Sequence, residues 1–309
     1  MFIMKYNELK PNAGLQRVFR ARFKLDKPGF IFHVTQRAAG KELLFLENND
    51  YLAMLGFLKK SAEEFKLNYL ALCLMPKHVH IQIQPLEKNL FDAMRYIFSR
   101  YALWFNKKYE RKGHLFGGPY RQSVCLDPTY LLAASVYIHL NPVRAGLVKD
   151  GAKYRWCSWA LYCKDKPAQS FVDPGPVLEL LDKDRSIAVR QYEFILREGA
   201  AARQDNLFEK QGAVEKFRFL LSEMFPSVFK RIDRAWHSGS LQNDHPLLTP
   251  VERLTREFQD IPATRKPETR EARKHIVEQL LARGFKKTEI AARLNISRKT
   301  VYNILHSTD

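Results

Sequence analysis

The chain has 309 residues, 46% of them apolar, which suits about two folded domains and excludes the composition of a disordered protein. No run approaches the roughly 20 apolar residues of a membrane-spanning helix, and the basic N-terminus lacks a secretory core, so a cytoplasmic protein without a membrane partner is expected. The formal net charge of +18 favours a nucleic-acid partner, because neutralised phosphates release counterions; a generally basic surface is the alternative.

The first half of the chain carries alternating strand and helix patterns. In chain order, the predicted elements are a strand from Gly29 to Gln36, a helix from about Asn49 to Phe65, strands from Asn68 to Met75 and from His78 to Gln84, a helix from about Leu90 to Tyr109, and a helix that begins at Asp127 and ends near Pro142. This order predicts an α+β domain built on an antiparallel sheet. The aromatic segment from Gly151 to Tyr162 is expected to pack back on that sheet.

Proline-rich stretches predict three parts of the chain. The first domain is expected to span residues 1–165, because Lys164 to Pro176 contains three prolines and has the composition of a linker. Residues 166–265 look helical and carry no chemical motif. A second linker from Pro262 to Pro267 leads into a basic unit, residues 266–309.

The strand that begins at His78 alternates polar and apolar residues. Side chains of a strand alternate between its two faces, so His78 and His80 share one face with Gln82 and Gln84. Two neighbouring neutral imidazoles can hold one divalent ion. Two surface or packing histidines are the alternative, and the apolar strand before them, the expected hairpin partner, strengthens the metal hypothesis.

Tyr137 and Asn141 lie four residues apart in the helix that begins at Asp127, so they share one helical face. Asn141 can offer its side-chain oxygen as a third metal ligand, which would put Tyr137 beside the ion. A phenol has a pKa of about 10 and is a poor nucleophile, but a metal ion polarises a phosphate and stabilises the developing charge. Covalent attack by tyrosine lets a cut strand be rejoined. Packing is the alternative for any one of the 13 tyrosines.

The C-terminal segment predicts three short helices between residues 271 and 305. Gly284 is expected to end the first, Thr288 to cap the second, and Ser297 to cap the third after a tight turn at Asn295. The pattern resembles the helix-turn-helix of resolvases and invertases, whose last helix enters the major groove. A protein-docking module is the alternative. The side chains predicted to contact DNA are Arg121 and Arg144 near the tyrosine helix, and Lys286, Lys287, Ser297, Arg298, Lys299, Thr300, Tyr302 and Asn303 in the C-terminal unit.

Five segments, in this order, resemble those of the REP-associated tyrosine transposases. That family belongs to the single-strand transposases and replication-initiation nucleases that share a His-hydrophobic-His motif. The segments are Phe32–Arg37, Leu74–His80, Gly113–Phe116, Tyr137–Gly146 and Tyr154–Ser158. The resemblance covers about residues 27–162 and includes both histidines and the tyrosine.

The resemblance implies a ferredoxin-like antiparallel sheet with helices on one face. It also implies a Mg²⁺ or Mn²⁺ ion held by His78, His80 and Asn141, with Tyr137 as the catalytic nucleophile. The implied substrate is single-stranded hairpin DNA from repeated palindromic elements, cut through a 5'-phosphotyrosine link with a free 3'-hydroxyl. Duplex DNA is expected as a further partner of the C-terminal unit, and no small-molecule substrate is expected.

Two other functions stay open on the sequence alone. One is a DNA-binding regulator that keeps the fold without catalysis, which the intact set of His78, His80, Tyr137 and Asn141 disfavours. The other is an RNA-processing nuclease on the same scaffold. Both differ from the leading hypothesis, a metal-dependent DNA strand transferase, in what they would cleave.

Overall fold

The computed structural model describes residues 26–125, 127–166, 169–201, 213–238, 251–262, 267–282 and 285–306. The described residues fall into two compact units, residues 26–238 and residues 251–306. Within these residues, no helix is both long enough and apolar enough to cross a membrane.

The first unit contains a four-stranded antiparallel sheet in the order β2-β3-β1-β4. Its strands are β1 (Phe32–Arg37), β2 (Leu67–Met75), β3 (His78–Pro85) and β4 (Arg121–Val124). The predicted hairpin is confirmed, since Met75 pairs with His78 across the β2–β3 turn. Strand β4 was not predicted: its sequence is short and polar, and it is held by pairing with β1. The predicted α+β class with an antiparallel sheet is confirmed.

Helices lie on both faces of the sheet. On one face, α1 (Asn48–Glu64) and α2 (Leu90–Lys108) pack together, and the Ser61 hydroxyl on α1 bonds to the Tyr69 hydroxyl on β2 at 2.7 Å. On the other face lies α3 (Pro128–Arg144), where Gln82 of β3 donates to the Leu131 carbonyl at 3.0 Å. The pair α1 and α2 matches the one-faced layer implied by the resemblance, and α3 adds a layer on the histidine face.

Helix α3 begins as its sequence predicts. The Asp127 carboxylate accepts the Tyr130 backbone N–H at 2.8 Å, and Pro128 occupies the first turn, where no amide hydrogen is needed. The helix ends at Arg144, near Pro142 as predicted, because the proline removes only one backbone bond within the last turn. Gly146 then ends it with a positive φ of 68°.

The segment after α3 packs back on β2, as predicted. It contains a 3₁₀ turn at Gly151–Lys153 and α4 (Trp159–Tyr162). The Leu74 N–H donates to the Trp156 carbonyl, and the Ser158 N–H donates to the Leu72 carbonyl, both at 2.9 Å. The aromatic segment therefore covers the outer edge of β2.

Four further helices belong to the first unit: α5 (Gly175–Leu178), α6 (Arg185–Ala201), α7 (Ala213–Met224) and α8 (Pro226–His237). They pack on α3 and share its core. The predicted linker is attached as well, because the Asp173 N–H donates to the Tyr69 carbonyl at 2.8 Å. The boundary predicted near residue 165 therefore falls inside one unit: α3 is apolar on nearly every side and needs these helices to cover it.

The second unit contains α9 (Val251–Asp260), α10 (Pro267–Ala282), α11 (Lys287–Arg293) and α12 (Arg298–His306). The last three confirm the predicted helices. Helix α9 joins their core through Leu254 and Phe258, so the unit begins before the predicted residue 266. These two side chains are four residues apart and so lie on one face of α9.

Two of the predicted turn and cap residues in this unit are confirmed. Asn295 has a positive φ of 51°, and the Ser297 hydroxyl accepts the Thr300 N–H at 3.0 Å. Thr288 does not cap α11, which begins at Lys287; instead the Glu289 carboxylate accepts the Lys286 N–H at 2.7 Å. The predicted stop at Gly284 lies outside the described residues.

Candidate active site

The centre of the site is a pair of histidines on neighbouring strands. His80 lies on β3 and pairs in register with Thr35 of β1, so both side chains lie on the face that α3 covers. His33 lies two residues before Thr35 on that same face. Its Nε2 is 2.9 Å from His80 Nδ1, and the Thr35 hydroxyl is 3.4 Å from the same nitrogen. His80 is therefore fixed through one ring nitrogen, which leaves its Nε2 for another partner.

The structure places Tyr137 beside these rings. His78 and His80 have ring centroids 4.8 Å apart with perpendicular planes. The Tyr137 ring lies edge-on to His80 at 5.8 Å and to His33 at 6.0 Å. Alternation along β3 and the position of α3 thus bring the predicted nucleophile next to His80, which in turn contacts His78.

Asn141 lies one helical turn after Tyr137, as its spacing requires. Its side-chain Nδ2 donates to the Tyr137 backbone carbonyl at 2.8 Å. An amide that uses its nitrogen in this way keeps its oxygen as an acceptor. Asn141 is thus held against the tyrosine's own helix with Oδ1 still able to bind a cation.

Burial sets the charge of the site. Tyr137, His33, His78, His80 and Asn141 are each at most 8% exposed. Burial lowers the pKa of His33 to about 4. The pKa of His80 is lowered well below its usual 6.5, first by burial and then by the positive charges of His78, His33 and Arg37. Both rings are therefore neutral at pH 7, the form in which imidazole binds a metal.

The donor atoms of His78 and His80 suit a divalent ion, provided that Asn141 is a further ligand. Among the described residues, no cluster of three or more His, Cys, Asp or Glu side chains has the geometry of a metal site. An ion at Tyr137 would therefore need an amide ligand, Asn141, beside His78 and His80. His33 would serve as the partner that orients His80, a common arrangement for metal-binding histidines.

Helix α7 forms a further wall of the site. Its Phe217 ring lies 6.2 Å from the Tyr137 ring. The guanidinium of Arg144 lies over the Phe217 ring, 4.6 Å from its centroid, and donates to the Gly199 carbonyl at 2.9 Å. Burial lowers the pKa of Arg144 to about 10, so it stays cationic at pH 7. Arg144, predicted to contact DNA, is thus turned toward α6 and α7, and its contact with DNA stays a prediction.

Arg121 occupies a different position. It is the first residue of β4, is exposed, and pairs in register with Thr35. It therefore lies on the same face of the sheet as His80, at the edge strand. Its contact with a DNA phosphate stays a prediction.

The predicted DNA contacts of the second unit lie at the start of α11, on α12 and in the turn that joins the two helices. Ser297, Arg298, Lys299, Asn303 and Lys286 are exposed. Tyr302 is 53% exposed, and its ring packs 5.2 Å from the ammonium of Lys287. Thr300 is half-buried and donates its N–H to Ser297. Most of the predicted set is exposed to solvent, including the cations Lys286, Arg298 and Lys299.

Sequence reasoning missed two residues of the site. His33 lies in an alternating stretch, Phe32 to Thr35, and the same period-two argument used for β3 would have placed it on the histidine face. Phe217 had no local signal, because its role depends on how α7 packs against α3.

Comparisons with known proteins match two segments of the chain. Residues 30–141 match the family model of IS200-like transposases, and this segment contains His33, His78, His80, Tyr137 and Asn141. Residues 267–308 match the model of a homeodomain-like domain. Two separate segments of the chain thus match an IS200-like transposase model and a homeodomain-like model, in the order expected from the motifs.

Among solved structures, the chain is similar to a REP-associated tyrosine transposase bound to a REP hairpin. The sequence identity is 14%, the TM-score is 0.40, and the match covers 46% of this chain and 84% of the other. No curated protein matches the chain.

Proposed function

We propose that this protein cleaves and rejoins single-stranded DNA at hairpin elements, with Tyr137 as the nucleophile. The observation that carries the proposal is the edge contact of Tyr137 with His80, 5.8 Å between ring centroids, beside His78 and inside the transposase domain. A divalent ion, Mg²⁺ or Mn²⁺, would be held by His78, His80 and Asn141.

The proposed step is a transfer of one phosphodiester bond. The Tyr137 hydroxyl oxygen attacks the scissile phosphorus and loses its proton to solvent, while the bond from phosphorus to the 3'-oxygen breaks. The leaving 3'-oxygen takes up a proton, so the products are a 5'-phosphotyrosine and a free 3'-hydroxyl. Attack of a 3'-hydroxyl on that link reverses the reaction and rejoins DNA.

The chain's own residues prepare this step in three ways. The Nε2 of His33 contacts the Nδ1 of His80 and so orients the His80 ring. The side chain of Asn141 is fixed by its hydrogen bond to the Tyr137 carbonyl. Arg144 and Phe217 exclude water from the side of Tyr137 that faces α7. A bound divalent ion would supply charge stabilisation at the phosphate.

A second activity is proposed for the C-terminal unit, which would bind duplex DNA. Its support is the exposed basic surface of α12, whose first residues Arg298 and Lys299 follow the Ser297 cap. In helix-turn-helix proteins, the N-terminal residues of the last helix approach base edges in the major groove. The unit would then bring the transposase domain to double-stranded sites.

The central proposal is tested by trapping the covalent intermediate. A labelled hairpin oligonucleotide incubated with the full chain and Mn²⁺ should give a protein–DNA adduct that survives denaturation. Tyr137→Phe should form none, because only the phenol oxygen can make the link. Tyr130→Phe, a buried tyrosine on the same helix, is the matched control and should still form the adduct.

Three outcomes would decide against the proposal. Cleavage that persists in Tyr137→Phe would show that another residue is the nucleophile. Hairpin binding without cleavage by the unmodified chain would favour a DNA-binding regulator. Cleavage of the matching RNA but not of the DNA would favour an RNA-processing nuclease.

A further inference from the structure

Helices α6 and α8 frame a surface groove in the part of the chain to which the sequence assigned no motif. The groove has a volume of about 850 Å³. Gln191 of α6 lies on one side, and Ser227, Arg231 and Arg234 of α8 lie on the other. It belongs to the first unit but lies outside the segment that matches the transposase family model.

Arg231 is held in this groove without being neutralised. Its guanidinium donates to the Leu181 carbonyl and, at 2.8 Å, to the Gln191 side-chain oxygen. Both acceptors are uncharged, so they fix the orientation of the arginine and leave its full positive charge. A guanidinium fixed in this way suits phosphate, to which its remaining N–H groups can donate.

Other cations of the first unit are treated differently. Lys66 pairs with Glu87, Arg95 pairs with Asp92 at 2.9 Å, and Arg111 pairs with Glu42. By contrast, neither Arg231 nor Arg234 forms an ion pair with a residue in the described ranges, and no described residue lining the groove is a carboxylate. Arg231 and Arg234 therefore give the groove a net positive charge.

Helix α8 gives these cations a rigid support. Phe229 and Ile232 are buried in the core of the unit, whereas Lys230, Arg231 and Arg234 are exposed. Residues three and four apart on a helix are neighbours, so the three cations form one cluster on the outer face. Little backbone order would have to be created when a polyanion binds there.

We propose that this groove binds the phosphate backbone of double-helical DNA, such as the stem of a hairpin substrate. The proposal rests on the proposed function in taking DNA as the substrate. Single-stranded DNA is normally bound through stacking of its bases on aromatic side chains, and no described residue lining the groove is aromatic. Paired bases need no stacking platform, and contacts to phosphate alone bind a duplex without reading its sequence.

The test measures how the binding of two probes depends on salt. The full chain and its Arg231→Gln/Arg234→Gln variant are titrated by fluorescence anisotropy against a hairpin with a stem of about one helical turn, and against an unpaired oligonucleotide of equal length. Each lost phosphate contact lowers the slope of log affinity against log salt by about 0.9. From about 50 to 200 mM salt, the hairpin affinity of the variant should thus fall about tenfold less than that of the unmodified chain. The affinities of the variant and of the unmodified chain for the unpaired oligonucleotide should differ by less than about twofold.

The matched control is Lys59→Gln/Lys60→Gln, which removes the same charge from the exposed face of α1. It should leave the salt dependence of hairpin binding unchanged. Equal salt dependence of the arginine variant and the unmodified chain would overturn the proposal. An equal loss on both probes would show a single-strand surface instead. Polyglutamate is the third probe. If the arginine variant loses binding to polyglutamate but keeps its hairpin binding, the groove binds an acidic protein partner instead.

The readout separates this proposal from the catalytic one, because it measures binding rather than adduct formation. If the unmodified chain forms the tyrosine adduct but the variant keeps its salt dependence, only the groove proposal fails. If no adduct forms but the variant loses salt dependence on the hairpin, the groove proposal stands and the catalytic one fails.

Discussion

The tyrosine site and the surface of α12 place their functional side chains in opposite environments. Around Tyr137, the histidines and Asn141 are buried between the sheet and α3. On α12, Arg298, Lys299 and Tyr302 are exposed and depend on one cap and one tight turn.

The difference teaches what each kind of function requires. A site that makes and breaks bonds gains from fixed groups in a poorly hydrated environment, where charges interact strongly. A surface that binds a large polyanion gains from exposed charge. Substitutions at the first therefore act on chemistry and folding together, whereas those at the second act on binding alone.

The largest effect is expected from His80→Gln. This change removes a ligand of the proposed ion, and loss of its charge stabilisation should slow adduct formation by about a thousandfold or more. Rates are measured under single turnover with Mn²⁺, and tryptophan fluorescence confirms that the variant is folded. The control is His114→Gln, an exposed histidine, which should react at the normal rate. If His80→Gln forms the adduct at a rate within about tenfold of the unmodified chain, the metal assignment is wrong.

An intermediate effect is expected from acid on the stability of the first unit. Burial lowers the pKa of His139 from 6.5 to about 3, while its ring bonds to the Tyr192 and Ser158 hydroxyls at 2.7 and 2.8 Å. Between these two pKa values the unfolded chain binds more protons, so the stability is complete above pH 6.5 and is lost as the pH falls toward 3. At pH 5 the loss from His139 should be about 2 kcal/mol.

Urea unfolding followed by tryptophan fluorescence checks this, since all four tryptophans lie in the first unit. The comparison variant is His139→Leu. It should be less stable at pH 7 by about 1–3 kcal/mol, because hydroxyl partners are left unsatisfied. Below pH 6, the free energy of unfolding of the variant should fall less steeply with pH than that of the unmodified chain, by about 1.4 kcal/mol per pH unit. Identical slopes for both proteins would refute the role of His139.

The smallest effect is expected from Arg298→Gln/Lys299→Gln on α12. At a fixed salt concentration, duplex affinity measured by anisotropy should fall by about tenfold, because two phosphate or base contacts are lost. Stability should change by less than about 0.5 kcal/mol, as for most surface substitutions. Adduct formation on a hairpin should be unchanged. The control is Arg270→Gln, an exposed cation on α10. Unchanged duplex affinity in the double variant would argue for a protein-docking module.

Local patterns predicted much of this architecture. The alternation of His78 to Gln84, the Asp127 cap and the turn at Asn295 are each set by neighbours in sequence, and the structure contains all three. The same holds for the placement of His78 beside His80. Period and capping are short-range properties, so a sequence window is enough to recognise them.

Features that depend on distant residues could not be predicted in this way. Strand β4 exists because β1 pairs with it, and its own four residues carry no strong strand pattern. The contact of Phe217 with Tyr137 joins positions 80 residues apart. The extension of the first unit past residue 165 has the same cause, since the cover of α3 comes from helices that follow a proline-rich stretch.

The burial of α3 has a consequence for how the protein opens. Every residue from Tyr130 to Pro142 is buried, between the sheet on one side and α5 to α8 on the other. Neither end of this buried stretch can unfold locally without disturbing the whole core. Its amide hydrogens should therefore exchange with solvent only when the unit unfolds cooperatively. The segment that carries the tyrosine is then among the slowest to exchange, and its exchange rate reports the global stability of the unit.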